Sequence, residues 1–335
     1  MAALGKPFVF LGIALVLSMS SAANGWCQSQ SLTAFYTAPV VSMSPMWIAK
    51  EAGFFKKQGL DVKLVFIASG PTGTTSLLAG ETDVGIIGGF APTRAIVGGA
   101  KALVIVGQSK NLITSKIIGK KEIASVQDLK GRRLGIDRIG SNPDMFAQVA
   151  LARFHIDTFK DLQYVQLGNI GQAIPALKAG AVDAIIAGAP HDLFALRLGF
   201  REIVDIAAMK IPFAATVLVS ARETVARKQP ELMKFMRAYG EAIHYFLTNQ
   251  EGTAKIVAKY TQLEDRELLA YSIESEVKAM EKTLQVDPKG IELILGLIGK
   301  TVPQAVSAKV EDFYDPRLFT ELRDSGFLKR LWGEK

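Results

Sequence analysis

Two stretches of this chain, about one hundred residues apart, follow one plan. Residues 76–93 (SLLAGETDVGIIGGFAPT) and 175–192 (PALKAGAVDAIIAGAPHD) each read as a helix ending in Leu-x-Ala-Gly, then two residues, an Asp, a small apolar strand, and a glycine-rich turn reaching a Pro. A chain that makes the same helix–turn–strand unit twice is neither all-helical nor all-β. The repetition predicts two similar α/β units.

The rest of the chain fits that frame. Leu60, Val62, Leu64 and Phe66 alternate with Asp61, Lys63 and Val65, the period of a strand. Ahead of them, Ser44 and Pro45 suit a helix cap and first helical position, with Gly53 and Gly59 as turn residues. Strands are expected at 32–36, 60–67, 83–89, 103–109, 133–137, 162–166, 181–188 and 213–220. Helices are expected between them at 74–79, 92–98, 142–153 and 171–179. Beyond Glu223 the pattern is almost wholly helical, beginning with 230–248. Alternation of this kind implies mainly parallel sheets flanked by helices, in two lobes. Chain crossings are expected near 113–119 and 212–219. They give a discontinuous first lobe (30–115 and 217–335) and a continuous second one (116–216).

The N-terminus stands apart. Lys6 precedes an apolar run at 8–17, and small residues follow at 18–25, the pattern of a cleaved secretory signal over 1–25. That run is shorter than the ~20 residues of a membrane span. Cys27 follows the bulky Trp26, so a lipid anchor there is disfavoured. With Cys27 the only cysteine among 335 residues, no intrachain disulfide forms. The formal charge is +7, spread along the chain without the clustered basic and aromatic residues of a nucleic-acid surface. An exported mature chain, placed outside the cytoplasm, is the expectation.

Five segments then carry a resemblance: MWIAKEAGFFKKQGLDV, LLAGETDVGIIGG, VQDLKGRRLGI, ALKAGAVDAIIAG and KQPELMKFMRAYGEAIHYF, in that order from residue 46 to 246. The chain resembles the periplasmic substrate-binding proteins of ABC transporters, in the SsuA/THI5-like group of sulfonate, nitrate and thiamine-pyrimidine binders. The resemblance implies a two-lobed, type II binding-protein fold that closes on a small solute. It also implies a periplasmic monomer that meets the membrane only through its partners, a permease and that permease's ATPase subunit, and no cofactor. Ligands of open parallel sheets sit beyond the strands' carboxyl ends, where helix starts converge.

That plan selects a set of loops. In the first lobe they are Ser42, Met43 and Ser44; Ser69, Gly70, Thr72 and Thr74; and Gly89, Phe90 and Thr93. Phe90 reads equally as a stacking ring or as core. In the second lobe they are Arg138, Ser141 and Asn142; Asn169 and Gln172 around Gly171; and Pro190 and His191. Arg138 is a candidate for clasping an oxyanion, or a solvated charge. His191 beside Asp192 reads as a hydrogen-bond donor or a capping pair rather than as catalytic. The helix starts, the mild basic charge and Arg138 lean towards an anionic organic ligand, a sulfonate or carboxylate. Neutral pyrimidine-like ligands fit the same loops if Phe90 or another ring stacks on them.

Catalytic and metal motifs are missing: no GxSxG, HExxH, Walker A or CxxC occurs, and His155 and His244 lack metal-ligand spacing. Two alternatives remain. One is an enzyme of the pyrimidine-synthesising type on the same scaffold, although the cysteine cluster that such an enzyme uses is absent. The other is a sensory ligand-binding module.

Overall fold

The computed structural model describes residues 1–2 and 30–333, so the expected signal segment, apart from its first two residues, and Cys27 lie outside the described residues. The first sheet opens with β1 (Gln30–Tyr36), followed by a 3-10 turn (Val41–Met43), α1 (Ser44–Glu51) and α2 (Phe54–Lys57). Then come β2 (Leu60–Phe66), α3 (Gly70–Leu78), β3 (Val84–Ile87), α4 (Phe90–Val97) and β4 (Leu103–Leu112). Only Ile113 and Thr114 separate β4 from β5 (Ser115–Gly119), which already belongs to the second sheet. That sheet continues with β6 (Arg133–Ile136), α5 (Asn142–Ala152), β7 (Gln163–Gln166), α6 (Ala173–Lys178), β8 (Ala184–Gly188), α7 (His191–Arg197) and β9 (Arg201–Asp205). The chain returns to the first sheet as β10 (Pro212–Ala221), so the expected lobe boundary at 216 falls inside that strand.

Helices complete the chain: α8 (Arg222–Arg227), α9 (Gln229–Thr248), α10 (Gln250–Thr261), α11 (Arg266–Val277), α12 (Pro288–Gly299), α13 (Arg317–Asp324) and α14 (Phe327–Trp332). Of these, α9 and α10 pack on α1, and α11 packs on α10 and the 3-10 turn, so they extend the first lobe. The apolar face of α9, with Leu232, Phe235, Met236, Tyr239 and Ile243, is buried. Its burial fixes α9 against the first sheet far more than helix propensity does.

The two sheets share one topology. Their strand orders are β2-β1-β3-β10-β4 and β7-β6-β8-β5-β9. In each, four strands run one way and the fourth in spatial order, β10 or β5, runs against both neighbours. The antiparallel strand in each sheet is the one delivered by a crossing from the other lobe. Neither β5 nor β9 is expected from the sequence pattern, because both are short and lack a clean alternation.

The repeated unit is visible in atomic detail. Asp83 Oδ2 accepts the Thr33 N–H at 2.8 Å, and Asp183 Oδ2 accepts the Arg133 N–H at 3.1 Å, each across 50 residues. Strand register repeats too, with Ala34 opposite Val84 and Leu134 opposite Ala184. Each aspartate also holds cations: Lys228 at 2.7 Å for Asp83, and Arg133 and Lys120 for Asp183. The Arg133 guanidinium, helped by Lys120, holds the Asp183 carboxyl far below the usual carboxylate range.

Candidate ligand cavity

A cavity of about 350 Å³ lies between the sheets at the carboxyl ends of their strands. Thr37, Phe66 and Gly88 bring to it the ends of β1, β2 and β3; Asp137, Asn169 and Gly188 do the same for β6, β7 and β8. Lys110, Thr114, Ala215 and Thr216 add the segments where the chain passes between lobes. Its walls are mostly apolar, with Val40, Met43, Phe66, Phe146, Ile170 and Ile186 among the lining.

The lobes touch around it. Asn142 Nδ2 donates to the Ala215 carbonyl at 2.7 Å. On the α7 side, the Tyr271 hydroxyl donates to Asp192 Oδ2 at 2.8 Å, and Arg197 pairs with Asp265 at 2.6 Å and with Glu267. Burial raises the Asp192 carboxyl, and burial, followed by that carboxylate, pushes the Tyr271 hydroxyl up to about 12.

The expected site residues divide. Ser42, Met43, Ser69, Gly70, Ser141, Asn142, Asn169 and His191 line the cavity. Ser44, Thr72, Thr74, Gly89, Phe90, Thr93, Arg138, Gln172 and Pro190 are not among its lining residues. Several of these have evident structural work. Thr74 and Thr93 donate to the carbonyls four residues earlier, Gly70 and Gly89, at 3.0 and 2.7 Å. The Thr72 hydroxyl lies 3.3 Å from that of Ser69. The Gly89 N–H bonds the Ala214 carbonyl at 2.9 Å. Phe90 is only 2 % exposed and borders a second hollow of about 710 Å³ beside α5 and α12.

Ser44 does not cap α1. It already has helical backbone angles (φ −62°, ψ −29°), because the 3-10 turn at Val41–Met43 runs straight into the helix. A cap needs extended backbone, and that position falls to Val40 (φ −123°, ψ 155°). The Ser44 hydroxyl is instead buried, with no partner among the described residues.

Four functional candidates escape the sequence reading: Lys110, Thr114, Asp137 and Glu276. Lys110 Nζ lies 2.6 and 2.8 Å from the two carboxylate oxygens of Glu276 and also donates to Thr114. The three protons of the ammonium are thereby engaged. Both side chains of this pair are under 10 % exposed. Asp137 turns to the cavity where its neighbour Arg138 is exposed. Asp137 Oδ1 accepts from the Arg138 N–H at 2.8 Å and from the Ser141 hydroxyl. Burial raises its carboxyl above the usual range, against the pull of those bonds. Burial likewise lowers the His191 imidazole, favouring the neutral ring.

Two backbone features serve the cavity. Ser69, at φ 73° and ψ 152°, occupies a region that side-chain-bearing residues rarely adopt. Gly88 has no room for a side chain, since Asn142 fills the space.

Comparison with known proteins agrees with this architecture. The sequence profile of the family described as NMT1/THI5 like matches residues 41–253. A protein of Brucella abortus (strain 2308), provisionally named a binding protein, is 29% identical over 238 residues, which is 70% of this chain and 72% of its own. YtlA of Bacillus subtilis (strain 168), also provisionally named a binding protein, is 24% identical over 224 residues, 64% of this chain and 66% of its own. Among solved structures, the alkanesulfonate-binding protein SsuA of Xanthomonas axonopodis pv. citri, bound to MOPS, superposes with a TM-score of 0.68 at 20% identity. The match covers 84% of this chain and 95% of that one. The periplasmic nitrate-binding protein NrtA of Synechocystis PCC 6803 gives a TM-score of 0.72 at 15% identity over 89% of each chain. The fold is the two-lobed one of periplasmic binding proteins.

Proposed function

The chain belongs to the NMT1/THI5-like family, and on that footing we propose that it is an exported solute-binding protein. It captures one small organic molecule between its lobes and delivers it to an ABC permease with its ATPase subunit. The observation that carries this reading is the composition of the cavity wall, to which both sheets and the connecting segments contribute. A ligand touching all of them binds the closed arrangement better than an open one, the condition for a closure-driven carrier.

In this reading the lobes are the expected 30–115 with 217–335, and 116–216, with the second boundary moved to Pro212, where β10 joins the first sheet. They turn about Ile113–Thr114 and the segment returning to β10, where the Ile113 N–H meets the Ile211 carbonyl. The segment 1–25 directs export to the periplasm. Among the described residues no helix is long and apolar enough to cross a membrane, which fits a membrane contact made through the permease.

The contact residues are those of the expected set that line the cavity, with Asp137 and the Lys110–Glu276 pair added. An anionic ligand draws little support from them. Arg138 is exposed and outside the lining, and Lys110 is already occupied by Glu276.

Thermal-shift screening of the purified mature protein tests the reading. A bound solute at 100 times its dissociation constant adds ~2.7 kcal/mol to stability, a shift of several degrees. Small-angle scattering should show the particle compacting with the same solute. A broad solute library that produces neither effect overturns the proposal.

A further inference from the structure

Among the described residues, the cavity is lined by one cation and two carboxyl groups: Lys110, Asp137 and Glu276. Lys110 has no donor left to offer, since Glu276 and Thr114 take all three protons. Asp137 is the reverse case. Both hydrogen bonds it receives from described residues go to Oδ1, which leaves Oδ2 open as an acceptor.

Two second-lobe helix starts near the cavity are compensated as well, whereas α3 and α6 carry no acidic residue in their first turns. At the head of α5, Asp144 Oδ2 accepts the Gly140 N–H at 2.8 Å, and at the head of α7, Asp192 Oδ1 accepts the Leu193 N–H at 2.8 Å. The positive ends of these second-lobe helices therefore face carboxylates of the chain itself. Among the described lining residues an incoming anion would find no free cation, and it would meet Asp137.

We propose that the cavity selects a small organic cation, an ammonium or amidinium on an apolar body, with the charged group against Asp137. The apolar part then lies along Val40, Met43, Phe66, Phe146 and Ile170, all in the lining. The neutral His191 ring offers a further acceptor or donor. This inference rests on the solute-binding reading and narrows it. A cation paired to a buried carboxylate gains a charge-assisted hydrogen bond, whereas a like charge placed there is repelled.

The test is a thermal-shift and calorimetric panel with two arms, each spanning aliphatic and aromatic members. One holds amines and amidines, including benzamidine; the other holds carboxylates, sulfonates and nitrate, including benzoate. The expected result is that stabilising compounds fall in the cationic arm, with at least about tenfold tighter binding than their anionic counterparts. Asp137→Asn should bring that ratio down towards one. Hits confined to the anionic arm, or equal affinity across both, overturn the cation preference and leave the solute-binding reading standing. A preference unchanged in Asp137→Asn overturns the role of Asp137. A blank in both arms, with no compaction in scattering, overturns the solute-binding reading and this inference with it.

Discussion

The carboxamide of Asn142, on the second lobe, occupies the place where Gly88, on the first, would carry a side chain. A Cβ built on Gly88 stands 2.1 Å from Asn142 Oδ1 and 2.3 Å from its Cγ. The same carboxamide donates to the Ala215 carbonyl at 2.7 Å, so this contact spans the mouth between the lobes.

Gly88→Ala should therefore leave each lobe folded but oppose their approach. Overpacking of this kind costs ~1–3 kcal/mol, roughly five- to 140-fold in affinity for whichever solute binds. Scattering should report a larger radius of gyration than for the parent protein. Adding Asn142→Ala vacates the space, so the double variant should recover most of the compaction. If it stays as open as Gly88→Ala alone, the steric account fails.

Ser69 makes a second prediction, of opposite sign. Its left-handed φ of 73° costs of order 1 kcal/mol or more in a residue with a side chain, and glycine removes that strain. Ser69→Gly should hold or raise the melting temperature while weakening solute binding, because the hydroxyl in the cavity wall is lost. A clear fall in melting temperature would show that the backbone is not strained there.

How much of this was legible in the sequence differs from residue to residue. Asp83 and Asp183 were visible as the fixed points of a repeated phrase, and the structure gives them the same task. The loops after the strands were also legible, because strand order and turn residues suffice to locate them. Which side chain of a loop faces inward was not. Asp137 and Arg138 are adjacent at the end of a strand buried on both faces, where alternation carries no sign of which parity points to the cavity. Lys110 and Glu276 lie 166 residues apart, on a strand end and on a helix read only as one among several. No local pattern could join them. Ser44 misled for a different reason, because a preceding 3-10 turn moved the helix start without altering the local Ser-Pro signal.

The Lys110–Glu276 pair makes the third prediction. Removing one partner of a buried pair strands the other, at ~3–5 kcal/mol. Glu276→Gln should lower stability towards that range in chemical denaturation. A double variant with Lys110→Met and Glu276→Met should be much closer to the parent, since neither charge is then left alone. Equal losses in the single and double variants would mean that packing rather than charge holds this corner together.

Acid sensitivity supplies the fourth. The folded-state pKa of Asp183 is depressed by its hydrogen bonds from Arg133 and then Lys120, so its stabilising contribution is present above the unfolded value near ~4 and is lost as pH falls below it. Asp183→Asn should cost ~2 kcal/mol at pH 7, less than a fully buried network would, because the cluster is partly solvated. The gap between the two proteins should narrow steadily as pH is lowered from about 5 to 3. A gap that is constant across that range would assign the loss to altered packing.

The position of β10 has a consequence for how the molecule comes into being. All strands of the second sheet lie between Ser115 and Asp205, an unbroken run, whereas the first sheet waits for a strand between β3 and β4 that arrives only with Pro212–Ala221. A chain emerging from its N-terminus can thus complete the later lobe first. Until then β3 and β4, two strands that never pair with each other, keep an open seam between them. Their unpaired edges are templates for wrong partners. The half of the protein that begins earliest is finished last, and its central gap is the stage at which a chaperone has most to protect.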